Sequence, residues 1–144
     1  MASLIQSLEV SYLVHLTEDE GRIGSAVKET LGIDGTSTRE ELAGHFGNRI
    51  VHVVHRLTGV SASAAFEALA RRLPPNVRKD ILGRIEEMLD DHSTLYLRLD
   101  KQSLMQGEIA LEGSEPVRVR VKPRLFLMKG GASGFFRSLL EGPA

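Results

Sequence analysis

Ser93-Thr94-Leu95-Tyr96-Leu97-Arg98-Leu99-Asp100-Lys101-Gln102 is the stretch whose reading decides the fold. Leu95, Leu97 and Leu99 fall at every second position, so in a pleated strand they share one face while Tyr96, Arg98 and Asp100 share the other. The leucine face belongs against a core. The polar face is left for something else: a tyrosine beside an arginine can stack on a base and meet a phosphate, and Lys101 and Gln102 add a charge and an amide at the strand exit. Simple solvation of strand residues is the competing explanation.

A second stretch repeats the pattern. From Pro116 to Lys122, Val117, Val119 and Val121 face one way and Arg118, Arg120 and Lys122 the other. Like charges two positions apart repel, so three in register exceed what a solvated face requires. If this strand shares a sheet with residues 95–100, its cations join Tyr96 and Arg98 in a positive surface holding an aromatic ring, which suits nucleic acid. Protection of a sheet edge by lysine and arginine explains the same residues equally well.

Working outward, Leu8, Val10, Tyr12, Val14 and Leu16 alternate with polar neighbours as a first strand. Thr17-Glu18-Asp19-Glu20 follows, with Thr17 as N-cap and Glu20 completing a capping box, before a helix whose apolar stripe is Ile23, Ala26, Val27 and Leu31. Gly32 to Thr38 has loop composition. Residues 40–49 and 50–57 then form two strands of a hairpin joined around Gly44-His45-Phe46-Gly47-Asn48. Held between glycines at a connection, His45 and Asn48 are candidate ligand contacts, with satisfaction of the turn as the alternative. His52 and His55 point to opposite faces of their strand, so they do not form one metal site.

Ser61 to Leu73 and Asn76 to Asp90 have helical spacing and are separated by Pro74-Pro75, around which Arg71, Arg72, Arg78 and Lys79 cluster. Ser103 to Gly107 fits a single turn and Glu108 to Leu111 a short strand. The pattern predicts an α+β domain over residues 1–122, a single mixed β-sheet with helices packed on one face, in the order βαββααβββ. Residues 123–144 form a C-terminal extension: a glycine-rich linker and an apolar segment that docks on its own body, docks on a partner, or stays mobile.

The formal net charge of −1 over 144 residues hides an uneven distribution. Up to Asn48 there are three basic residues against eight acidic ones, and from Arg49 onward fifteen against eleven. A local basic surface is therefore compatible with a nearly neutral chain. The absence of cysteine excludes disulfides, thiol catalysis and the usual structural zinc sites, and fits a cytoplasmic protein. No apolar run is long enough to cross a bilayer. No nucleophile elbow, phosphate-binding loop, dinucleotide fingerprint or His-Glu-x-x-His motif is present, so neither an enzyme nor a cofactor is expected.

Three blocks together are more specific than any alone: Thr17-Glu18-Asp19-Glu20 after a strand, Gly44-His45-Phe46-Gly47-Asn48, and Tyr96-Leu97-Arg98-Leu99-Asp100-Lys101-Gln102 followed by Gly107-Glu108. In order and spacing, residues 5–122 resemble the archaeal family of RNA-binding proteins described as an RNA-binding subunit of the exosome. The resemblance implies an α+β fold similar to that of the ribosomal protein that binds 5S RNA, and a role as an accessory in RNA processing or decay. It carries His45, Asn48, Arg98, Asp100, Lys101 and Gln102 over as functional surface. Arg49 stands where that family commonly has proline and adds a charge there.

The expected partner is RNA, with exosome or other RNA-processing proteins beside it and no membrane; a dimer is as compatible with the chain as a monomer. Arg98, Lys101, Arg118, Arg120 and Lys122 would neutralise phosphates, Tyr96 would stack, and His45, Asn48 and Gln102 would hydrogen-bond. An adaptor that docks on a larger complex through its C-terminal segment is the alternative.

Overall fold

The computed structural model describes residues 4–44, 47–111, 113, 115–124 and 131–141. Five strands form one sheet: β1 (Ile5–His15), β2 (Thr36–Ala43), β3 (Arg49–Thr58), β4 (Leu95–Leu99) and β5 (Val117–Pro123), in the spatial order β2-β3-β1-β5-β4. The α+β class holds, but every pairing is antiparallel, so the sheet is not mixed. Helices α1 (Glu20–Ala26), α2 (Gly59–Arg72), α3 (Pro75–Gly83), α4 (Lys101–Met105) and α5 (Gly131–Glu141) complete the fold. A π-helical turn over Val27–Leu31 extends α1, and a 3-10 turn over Ile85–Met88 follows α3.

Alternation in the sequence becomes two faces of one sheet. Leu8, Val10, Tyr12 and Val14 of β1, Leu95, Leu97 and Leu99 of β4, and Val117, Val119 and Val121 of β5 are buried beneath the helices. A shift of register between Ile5 and Ser7 turns Ile5 into the same core. Helix α2 crosses this face over β1 and β3, closing it with Ala62, Ala65, Phe66 and Leu69. Among the described residues, the opposite face carries no helix.

Several boundaries differ from expectation for identifiable reasons. Asp19, not Thr17, caps α1, its carboxylate accepting from the Arg22 amide at 3.1 Å. Strand β2 starts at Thr36 in the expected loop, because Thr36, Ser37 and Thr38 pair with Arg56, His55 and Val54. The expected 76–90 helix breaks at Arg84 into α3 and the 3-10 turn. Glu108 to Leu111 is no strand: it touches β4 through one bridge, Leu99 to Leu111, and the Asp100 amide donates to the Ala110 carbonyl.

The described part of the C-terminal segment is helix α5, which docks on its own body. Phe136 and Leu140 are buried, and Phe136 meets Phe66 edge to face at 5.8 Å between ring centroids. Arg78 ties the helix down by donating to the Leu140 carbonyl and to the Ala70 carbonyl. Arg72 donates to the Glu29 and Thr30 carbonyls. Two of the four cations around the proline turn therefore serve as internal caps.

Candidate nucleic-acid interface

The register lays the helix-free face out in rows. Arg56 of β3, Glu9 of β1, Arg120 of β5 and Tyr96 of β4 form one row, and Val54, Ser11, Arg118 and Arg98 the next. Lys122 lies beyond Arg120 on the same side, opposite Ser7. With Lys122 these rows hold five cations and one carboxylate, Glu9, which lies 3.5 Å from Arg56 Nε and 3.6 Å from Arg120 Nη1. Such loose, solvent-facing pairs neutralise little. The two charged strands thus sit side by side with their polar faces turned the same way.

Tyr96 is held from two sides. The Arg120 guanidinium lies 5.8 Å from its ring centroid, and its hydroxyl donates to Asp90, while 39% of the residue stays exposed. Desolvation opposes ionisation of Asp90, but the Thr94 and His92 amides and the Tyr96 hydroxyl outweigh it and hold the carboxyl below its ordinary range. Arg98 and Arg118 stand directly opposite each other, and among the described residues neither has an ion-pair partner. Thr94 and Asp100 make their backbone bonds on the outer side of β4, away from β5, so Tyr96 and Arg98, of the same parity, also direct their amides outward. Arg98 and Arg118 are then a non-hydrogen-bonded pair, the closer kind, in which like charges repel most.

Edge protection does not explain the arginines of β5, because β5 is paired on both sides, with β1 and with β4. Of the two edge strands, β2 has its own charges, Arg39, Glu40 and Glu41, with all eight of its residues exposed, and β4 carries Arg98. Arg56 belongs to the basic face and was not foreseen. Its place in an alternating strand was legible; that β3 lies next to β1 was not.

The remaining candidates lie elsewhere. Lys101 is only 4% exposed: its ammonium donates to the Leu13 carbonyl at 2.7 Å and to both Glu18 carboxylate oxygens at 3.0 and 3.1 Å. A phosphate contact by Lys101 is therefore not supported, since burial and three acceptors already occupy it. Asp100 caps α4, accepting from the Ser103 amide at 3.2 Å and the Ser103 hydroxyl at 2.6 Å. Gln102 is exposed on the first turn of α4. Asn48 is exposed and its carbonyl accepts from the Gly44 amide, closing the turn in which Gly47 takes a φ of 78°. Arg49 lies on the helix-side parity of β3 and pairs with Glu41. His45 lies outside the described residues.

Two of the three motif blocks meet where Lys101 reaches Glu18. Desolvation works against the Glu18 carboxylate, but the His15 amide and the Lys101 ammonium bind it and lower its pKa. His15 and Glu115 stand beside this pair, with His15 Nε2 2.7 Å from Glu115 Oε2 and the ammonium 3.8 Å from the same carboxylate. These three side chains could surround a cation, yet the lysine already fills that role. At this end of the sheet opposite charges satisfy one another; on the open face Glu9 loosely pairs Arg56 and Arg120, and Arg98 and Arg118 have no ion-pair partner among the described residues.

The fold and its basic face define a class: small α+β proteins that present one uncovered, cation-bearing antiparallel sheet. The chain belongs to the family described as RNA binding, whose match spans residues 7–123. It is 32% identical over 139 residues to the RNA-binding protein PAB1135 of Pyrococcus abyssi, covering 90% of both chains. The crystal structure of protein AF2318 from Archaeglobus fulgidus is similar with a TM-score of 0.79 and 28% identity, over 94% of this chain and 99% of that one. Mth689 from Methanothermobacter thermautotrophicus, at 24% identity, shares the fold with a TM-score of 0.69, over 94% and 98%.

Proposed function

We propose that this protein binds RNA without catalysing a reaction on it, receiving the sugar-phosphate backbone on the open face of the sheet. Arg98, Arg118, Arg120, Lys122 and Arg56 neutralise phosphates, and Tyr96 offers a stacking surface. The observation that carries the reading is the opposed pair Arg98 and Arg118, two cations held together with no carboxylate between them. A phosphate bound there relieves their repulsion. The family and the name of the Pyrococcus relative support the same reading. Asn48, Arg49 and Gln102, with His45, make at most a second contact region, and Asp100 and Lys101 act by building the end of the sheet.

The test is location. Replacing Arg118 and Arg120 together by glutamine lowers affinity for a labelled RNA oligonucleotide at least tenfold by fluorescence anisotropy. Replacing Arg71 and Lys79, two exposed cations on the helix side, leaves it within twofold. Equal losses from both pairs would mean that charge acts without regard to the face. An accessory role in RNA processing or decay, on the exosome, extends this reading by family resemblance. Co-purification with a reconstituted exosome, lost with the Arg118 and Arg120 replacements only when RNA is required as a bridge, tests that extension.

A further inference from the structure

We propose that the outer edge of β4 holds a pocket for one unpaired nucleobase, so that the protein selects single-stranded over double-helical RNA; this rests on the open face being the RNA surface. Bridges from Leu89 to Leu95 and from Leu99 to Leu111 cover the two ends of the β4 edge. Between them lies a cavity of about 380 Å³, in the usual size range for small-molecule sites, whose lining includes Met88, Leu89, Leu111, Tyr96 and Arg98.

Three features suit a base rather than a phosphate. Apolar side chains, Met88, Leu89 and Leu111, share the lining about equally with polar groups, as the face and edge of a base require. The charged residues lining the cavity balance, Arg84 and Arg98 against Glu87 and Asp90, so an anion gains nothing by entering. Tyr96 and Arg98 direct backbone carbonyl and amide groups toward this side, as the bonds of Thr94 and Asp100 fix by parity, and offer an acceptor and a donor to a base edge. The same two residues carry side chains on the basic face, so a strand whose phosphates cross Arg98, Arg118 and Arg120 brings a neighbouring base to the cavity mouth. A base inside a duplex cannot enter without being unpaired.

The experiment compares a labelled 12-nucleotide single strand with the 12-base-pair duplex, using the full chain and a Met88→Trp variant that fills the cavity. The wild type binds the single strand more tightly, and Met88→Trp loses between about 5-fold and about 150-fold on the single strand, the range of one stacked base, with duplex affinity unchanged. Titrating the wild type with adenosine or uridine monophosphate, read by amide NMR, shifts the Met88 and Leu111 amides, whereas inorganic phosphate moves only amides of the basic face such as Arg118. This second readout stands even if the variant fails to fold. Equal binding of the two RNAs with a steep salt dependence, or no response to the nucleotides, overturns the pocket and leaves the basic face standing. Failure to bind either RNA removes both.

Discussion

Lys101 shows what a charged residue next to a functional surface does when it is needed inside. Its ammonium joins Glu18 to the end of β1, linking residues 83 positions apart. Replacing it by methionine keeps the packing but removes the ammonium from the Leu13 carbonyl and leaves the Glu18 carboxylate with the His15 amide and no countercharge from residue 101, at a cost of about 2–4 kcal/mol by urea denaturation. A variant as stable as the wild type would show that the pair is not structural. On the helix side of the sheet, His55 accepts or donates at 2.9 Å to the Tyr12 hydroxyl, and burial holds the imidazole below its ordinary pKa. Tyr12 is pushed up to about 12 by burial and by Glu20, so it stays neutral throughout. Because the unfolded chain binds a proton on His55 more readily than the folded one, stability is complete above the unfolded value of about 6.5 and declines as pH falls below it. Thermal melts from pH 7.5 to 5.5 should lose melting temperature in wild type and lose less of it in His55→Gln; identical pH profiles would contradict the assignment. Residue types were legible in the sequence here, but partners were not, since nothing in a local stretch says that Lys101 faces Glu18.

Strands that alternate strictly were the most legible elements, and the reason is physical. Val117, Val119 and Val121 could only be buried together, which fixed the direction of Arg118, Arg120 and Lys122 before any neighbour was known. Elements whose form depends on a distant partner were not legible: β2, fully exposed, exists because β3 offers it a ladder, and residues 108–111 miss being a strand because they meet β4 at a single bridge. The β4–β5 pair also predicts a conflict between stability and binding. Arg98→Gln removes the like-charge opposition and should raise stability by about 0.2–1 kcal/mol at low salt while weakening RNA binding. A loss of stability would mean that the two guanidiniums do not repel. Helix α5 carries the opposite expectation. Phe136→Ala opens a cavity against Phe66 and should cost about 3–5 kcal/mol by chemical denaturation, as befits a segment used for the core. A neutral substitution would return that helix to the role of a docking segment for a partner.

At the scale of the molecule, no helix among the described residues is long and apolar enough to cross a membrane, and one side of the sheet carries their helical cover. Strand order was the decisive unknown. An order that separated β4 from β5 would have scattered the same arginines over two surfaces; their adjacency collects them on one, with Arg56 arriving from β3. Chain-wide charge near zero conceals this because acidic residues gather at the β1–α1 turn and on β2, where lysine and arginine meet them. The central claim is that phosphates displace counterions from this face, and it predicts a number. Affinity for a single-stranded RNA measured across a salt series should fall with a log–log slope of about 0.7 per phosphate contacted, and replacing Arg98, Arg118 and Arg120 by glutamine should flatten that slope by about 2. An unchanged slope in the triple variant, whatever its affinity, would contradict the account.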